Sequence, residues 1–248
     1  MKQIVIMRHG ESFWNLENRF TGWADVELDD EGNFEARRAG HDMRKLGIRF
    51  DVVFTSLLKR SIHTANLALD IMDQVYVPMI KDWHLNERHY GALQGLNKAD
   101  MAAKYGEEQV FIWRRSYDLP PPPLTDAEYA KFLNDPKYAS VPPESHPRVE
   151  TLKGVIERVV PYWTEAIMTV ARNKNVLVVA HGNSLRAILK HIENISEQDI
   201  PLLNLPTGVP ILLKFDDDWR YLGREYIGDA AEISKAIAKV EAQGHAHP

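Results

Sequence analysis

The chain has 248 residues and a net charge of −5; the length suits one large α/β domain or two small ones, and the charge argues against a general nucleic-acid or membrane-surface binder. It contains no cysteine, which excludes disulfides, thiol catalysis and thiolate metal sites. No apolar run approaches the ~18 residues of a membrane span and the N-terminal run is too short for a signal peptide, so a cytoplasmic protein with no nucleic-acid or membrane partner is expected.

Ile4 to Met7 is a short apolar run with β-branched residues, which predicts a strand buried on both faces. It stops at Arg8-His9-Gly10-Glu11-Ser12. Ligands in open α/β sheets bind beyond the carboxyl ends of strands, which places His9 at the floor of a site. Glu17 to Trp23 lacks periodicity and reads as a loop. Asp29 can cap a helix from about Glu31 to Leu46, with Gly47 as its stop. Phe50 to Phe54 is a second strand, and Leu58 to about Met72 a helix with Arg60 in its first turn. Cations avoid that end of a helix dipole, so Arg60 there suggests an anion to face. Val75 to Ile80 reads as a third strand, and Pro78 points to a sheet edge.

His84 to Gly95 is dense in ionisable residues and glycine, the composition of a functional loop. Asn97 can cap a short helix, Lys98 to Tyr105, stopped by Gly106. Val110 to Arg115 is helical and ends in Arg114-Arg115. From Tyr117 to Arg148 the chain is proline-rich and is read as an insertion with little regular structure. Leu152 to about Arg172 is a long helix that Pro161 kinks or divides. Val176 to Ala180 repeats the first motif as an apolar strand ending in His181-Gly182-Asn183-Ser184, followed by a helix from Ser184 to Glu193. Ile211 to Phe215 is read as the last strand. The Ala-rich tail, about 229–248, is helical, frays at its end and is expected to be mobile. Strands alternating with helices predict a mostly parallel sheet covered on both faces, a three-layer α/β fold, within one domain spanning 1–248.

A single His-Gly after a strand is usually a turn, with glycine supplying a backbone conformation that other residues resist. Two in matched contexts place two imidazoles side by side. Arg8, Arg60, Arg114 and Arg115 are candidates to converge on them, because guanidinium forks match phosphate oxygens and stay charged. A neutral imidazole attacks phosphorus if its other nitrogen is held as a donor. Phosphoryl transfer then needs positioning and positive charge rather than a metal, and no metal-ligand spacing is present. Glu87 is the candidate acid and base for a substrate hydroxyl; nearby phosphates would favour its protonated form. Paired with Arg88, it would equally serve as an ordinary surface carboxylate.

These residues resemble the histidine phosphatase superfamily, whose signature is Arg-His-Gly after the first strand. More closely, Arg8 to Ser12, Asn15, Asn18 to Trp23, Glu87 to Gly91, Gly95 to Lys98, Trp113 to Arg115 and Ala180 to Ser184 resemble the 2,3-bisphosphoglycerate-dependent phosphoglycerate mutases, block by block from Lys2 to about Gly228. The resemblance implies His9 as the phosphohistidine and Glu87 as proton donor and acceptor. It implies Arg8, Arg60, His181, Gly182 and Asn183 around the transferred group, with Ser12 and Asn15 nearby. Thr21, Gly22, Arg88, Tyr90, Lys98, Arg114 and Arg115 hold the rest of the substrate. It further implies phosphoglycerates as substrates, 2,3-bisphosphoglycerate as primer, no metal and a homodimer. His63 departs from the arginine that many relatives carry. A phosphomonoesterase of the same fold and a non-catalytic phospho-ligand module are the competing readings. The insertion and the Lys98, Arg114 and Arg115 set argue against the first, and retention of His9, Glu87 and His181 against the second.

Overall fold

A computed structural model describes residues 2–242. Its centre is one six-stranded sheet in the order β3-β2-β4-β1-β5-β6. In chain order the elements are β1 (Lys2–Arg8), α1 (Phe13–Leu16), α2 (Asp30–Lys45), β2 (Val52–Thr55), α3 (Lys59–Ile71) and β3 (Met79–Lys81). Next come α4 (Lys98–Tyr105), α5 (Glu107–Arg115), α6 (Asp126–Leu133), α7 (Leu152–Tyr162), α8 (Met168–Ala171) and β4 (Val176–Ala180). The chain then forms α9 (Gly182–Glu193), β5 (Pro210–Phe215), β6 (Tyr221–Tyr226) and α10 (Ala230–Ala242).

β3, β2, β4 and β1 run parallel, while β5 pairs antiparallel with β1 and with the edge strand β6. The central strands are apolar at every position because alternate side chains enter two different cores. Ile4, Ile6, Val176 and Val178 pack with Leu152, Val155 and Val159 of α7 and with Leu185 and Ile188 of α9. Val5, Met7, Leu177 and Val179 face the other way, onto Ala39 and Met43 of α2 and Ala65, Ala68 and Leu69 of α3. Each large side chain removed from water contributes roughly 1.5–3 kcal/mol. A one-residue slip of β1 against β4 would send each to the wrong core, which fixes the register. In that register Arg8 lies opposite Ala180, so the two histidines leave the sheet together.

Four sequence expectations change. The third strand is shorter and later, Met79–Lys81, because Val75 and Tyr76 lie exposed in a turn; it is still the edge strand beside Pro78. β5 is not the last strand: β6 follows it and pairs with it. The proline-rich insertion carries α6, whose start is secured by reciprocal Thr125 and Glu128 capping bonds, and its Phe132, Tyr138 and Val141 pack on Trp23. The long helix, by contrast, is divided near Pro161 as expected: a wider turn, Trp163–Ile167, separates α7 from α8. The helix after His181 begins at Gly182 rather than Ser184. Among the described residues, no helix is long and apolar enough to cross a membrane.

Candidate active site

His9 and His181 follow β1 and β4 with ring centroids 4.9 Å apart. The His9 backbone N–H donates to the Ala180 carbonyl at 3.0 Å, continuing the ladder one residue past the strand. His9 Nδ1 lies 2.6 Å from the Gly10 carbonyl. A carbonyl only accepts, so Nδ1 carries the proton and Nε2 keeps its lone pair. Arg60 Nε donates towards that same Nε2 at 3.3 Å, which agrees with the assignment. Burial, then the Arg60 and Arg8 guanidinium groups, hold His9 well below its ordinary value. The imidazole is therefore neutral at pH 7, the form that can attack phosphorus.

The loop around His9 is fixed from below. Gly10 N donates to Thr64 Oγ1 and Glu11 N to the buried Glu35 carboxylate. α2 approaches so closely that a Cβ on Gly10 would lie 2.3 Å from the Gly32 carbonyl oxygen. Gly10 is not among the residues with positive φ; close approach is the reason for glycine here. His181 Nε2 meets Ser56 Oγ at 2.7 Å, and Ser56 in turn meets Ser61. His181 is likewise pushed well down by burial and by Arg60.

Arg8, His9, Asn15, Thr21, Gly22, Arg60, Glu87, Tyr90, Lys98, Arg114, Arg115, Gly182 and Asn183 line one cleft. His181 stands behind His9. Arg60 is fixed by the Ala24 and Gly22 carbonyls and Arg8 by that of Leu205. Glu87 Oε1 accepts from the backbone of Arg88 at 2.7 Å and of Asn183 at 3.1 Å. Two implied residues are placed differently. Ser12 is buried and caps α1. The Arg88 side chain turns away from the cleft, because its guanidinium is committed to the carbonyls of Glu150, Ser116 and Leu119.

The sequence reading missed Arg19, Phe20, Arg186 and Val240, which also line the cleft. Arg186 stands four residues past Gly182 on α9, so helical spacing was the available signal. Its Nη1 donates to Asn183 Oδ1, which turns the Asn183 amide N–H₂ outwards, to Tyr90 Oη at 3.2 Å. The cleft thus gathers Arg8, Arg19, Arg60, Lys98, Arg114, Arg115 and Arg186 against Glu87, the one carboxylate among its described lining residues. Burial, then mutual repulsion, pushes Lys98 and Arg186 well below their ordinary values. Arg60 is brought down to about 10, by burial with Arg8 opposing its charge as well, and Arg114 and Arg115 reach the same value. Such crowding of like charge is relieved by a multiply charged anion. Among the described residues, no three His, Cys, Asp or Glu side chains are grouped to hold a metal ion.

A neutral imidazole, a second imidazole, guanidinium forks and one carboxylate gathered at the strand ends are the parts that histidine-based phosphoryl chemistry uses. The chain belongs to the histidine phosphatase superfamily (branch 1), whose model matches residues 4–133 and 124–224. The fold is shared with solved structures of low identity. Mycobacterial glucosyl-3-phosphoglycerate phosphatase in complex with VO3 is 20% identical, with 92% of this chain and 99% of that one covered and a TM-score of 0.68. Alpha-ribazole phosphatase from Shigella flexneri is 18% identical, covering 89% and 94%, with a TM-score of 0.66. Bacillus stearothermophilus YhfR is 19% identical, covering 90% and 95%, with a TM-score of 0.67.

Proposed function

We propose that the protein interconverts 2-phosphoglycerate and 3-phosphoglycerate through a phosphohistidine at His9, primed by 2,3-bisphosphoglycerate. The observation that carries this reading is the distribution of charge. Arg8 and Arg60 serve the phosphoryl group at His9, yet Lys98, Arg114, Arg115 and Arg186 add a second cationic cluster to the same cleft. A bisphosphate with about −1.5 to −2 on each phosphate, plus a carboxylate, has charge enough to engage both. A simple phosphomonoester brings about −1.5 to −2 of charge on its one phosphate, too little to balance all six cations.

In the forward step the His9 Nε2 lone pair forms a bond to phosphorus as the ester P–O bond breaks, and the leaving oxygen takes a proton from Glu87. In return, Glu87 takes the proton of the free hydroxyl of a phosphoglycerate as that oxygen bonds to phosphorus and the N–P bond to His9 breaks; the bisphosphate so formed reorients, and its other phosphate passes back to His9. The arginines stabilise charge on the equatorial oxygens in both directions.

The solved structures named as phosphatases favour a second reading, in which water takes the phosphoryl group from His9. One assay separates them: 3-phosphoglycerate with and without catalytic 2,3-bisphosphoglycerate. Formation of 2-phosphoglycerate that depends on the bisphosphate supports the mutase. Release of inorganic phosphate alone, at equal rate with and without it, supports the phosphatase. A homodimer is proposed from the family resemblance and is checked by sedimentation.

A further inference from the structure

We propose that Arg158 and Glu150 are positioning residues for the Glu87 carboxylate. Neither lines the cleft. Glu150 precedes α7 and Arg158 stands on it, and their side chains form a two-point ion pair, Nε to Oε1 at 2.7 Å and Nη2 to Oε2 at 3.0 Å. The pair is buried, with side-chain exposures of 8% and 9%.

The rest of the Arg158 fork grips the loop that carries Glu87. Nη1 donates to the His84 carbonyl at 2.6 Å, and Nη2 to those of Asn86 at 3.0 Å and Glu87 at 2.9 Å. Trp23 Nε1 donates to the same Glu87 carbonyl. Glu150 holds the next residues: its Oε2 accepts from His89 N at 2.8 Å and its backbone oxygen from Arg88 Nε at 2.8 Å. The main chain of Glu87 is thus fixed from behind, while its carboxylate is held in front by the backbone N–H groups of Arg88 and Asn183.

Stability alone does not call for this arrangement. A buried ion pair is often matched or bettered by packed apolar residues. An apolar pair cannot supply a planar fork with donors for three carbonyls and a charged acceptor. An acid–base group has to stay within hydrogen-bond reach of the proton it moves, and a displacement of about 1 Å costs up to ~10²-fold in rate. The pair supplies that constraint from outside the cleft.

The proposal rests on Glu87 as the acid–base group, so the test is a double-mutant cycle. Arg158→Lys and Glu150→Gln are each made alone and in a Glu87→Gln background. Far-UV circular dichroism and the melting temperature confirm that each variant is folded. Arg158→Lys should lower turnover about 10-fold or more with KM almost unchanged, and Glu150→Gln, which keeps the shape, should lower it less. In the Glu87→Gln background the same changes should lower turnover by no more than about 2-fold, because the group they position is already gone. Equal losses in both backgrounds, or unchanged turnover in the Glu87 background, would overturn the positioning role. Normal turnover in the Glu87→Gln single variant would instead remove the acid–base assignment itself, a distinct failure.

Discussion

Glu35 makes stability depend on pH in a direction the structure sets. Its side chain is buried beneath the His9 loop, accepting from Glu11 N at 2.8 Å and from Thr207 Oγ1 at 2.9 Å. Burial pushes the carboxyl up from 4.5 to about 7, against those two hydrogen bonds. Below pH 4.5 both the folded and unfolded chains carry the proton, and there is no penalty. Between 4.5 and about 7 the unfolded chain ionises alone, so stability falls as pH rises. Above about 7 both are ionised and the cost is constant. At roughly 1.4 kcal/mol for each tenfold change, this window is worth about 3 kcal/mol. Urea unfolding at intervals from pH 4.5 to 8, for the wild type and for Glu35→Gln, isolates the term as a difference. The wild-type advantage over the variant should shrink by about 3 kcal/mol across the window. A difference that stays flat with pH would refute the buried, proton-binding Glu35.

Glu87→Gln keeps size but cannot exchange a proton, so mutase turnover should fall ~10²–10⁴-fold while His9 phosphorylation falls less; stopped-flow and steady-state assays on one preparation read both. Gly10→Ala places a Cβ 2.3 Å from the Gly32 carbonyl oxygen, forcing α2 and the His9 loop apart; His9 phosphorylation should fall by more than the melting temperature implies, and a fully active variant would show that the contact is unnecessary. Ending the chain after Gly228 removes Val240 from the cleft wall and Lys239 from its ion pair with the buried Glu11. Turnover should fall with little change in melting temperature, and phosphate leakage should stay level or rise relative to mutase activity; an unchanged ratio would show that the tail does not guard the site.

The centre of the fold was legible because it depends on local pattern. Ile4 to Met7 and Val176 to Ala180 are apolar at every position, which only a strand between two cores requires. Asp29 and Asn97 announce helix starts through short-range caps. β6 was not legible, since an edge strand with half-exposed residues and Gly223 at its middle carries little apolar signal. α6 was signalled by Thr125 and Glu128, but the surrounding prolines outweighed that signal. At the cleft, His9, His181 and Arg60 could be placed because strand ends and a helix start define where they point. Arg88 could not be, because its direction depends on carbonyls at Ser116, Leu119 and Glu150, remote in sequence. Arg186 was legible in part: its bond to Asn183 lies within one turn of α9, whereas its bond to the Leu203 carbonyl reaches past the end of that helix.

The most direct test of the phosphohistidine mutase is the fate of phosphate on the enzyme. Protein labelled by radioactive 2,3-bisphosphoglycerate is freed of excess ligand and mixed with unlabelled 3-phosphoglycerate in a single turnover. The account predicts acid-labile, base-stable label on the wild type and none on His9→Ala. It predicts that the label leaves in bisphosphoglycerate and 2-phosphoglycerate. Label retained by His9→Ala, or released from the wild type wholly as inorganic phosphate, would contradict it.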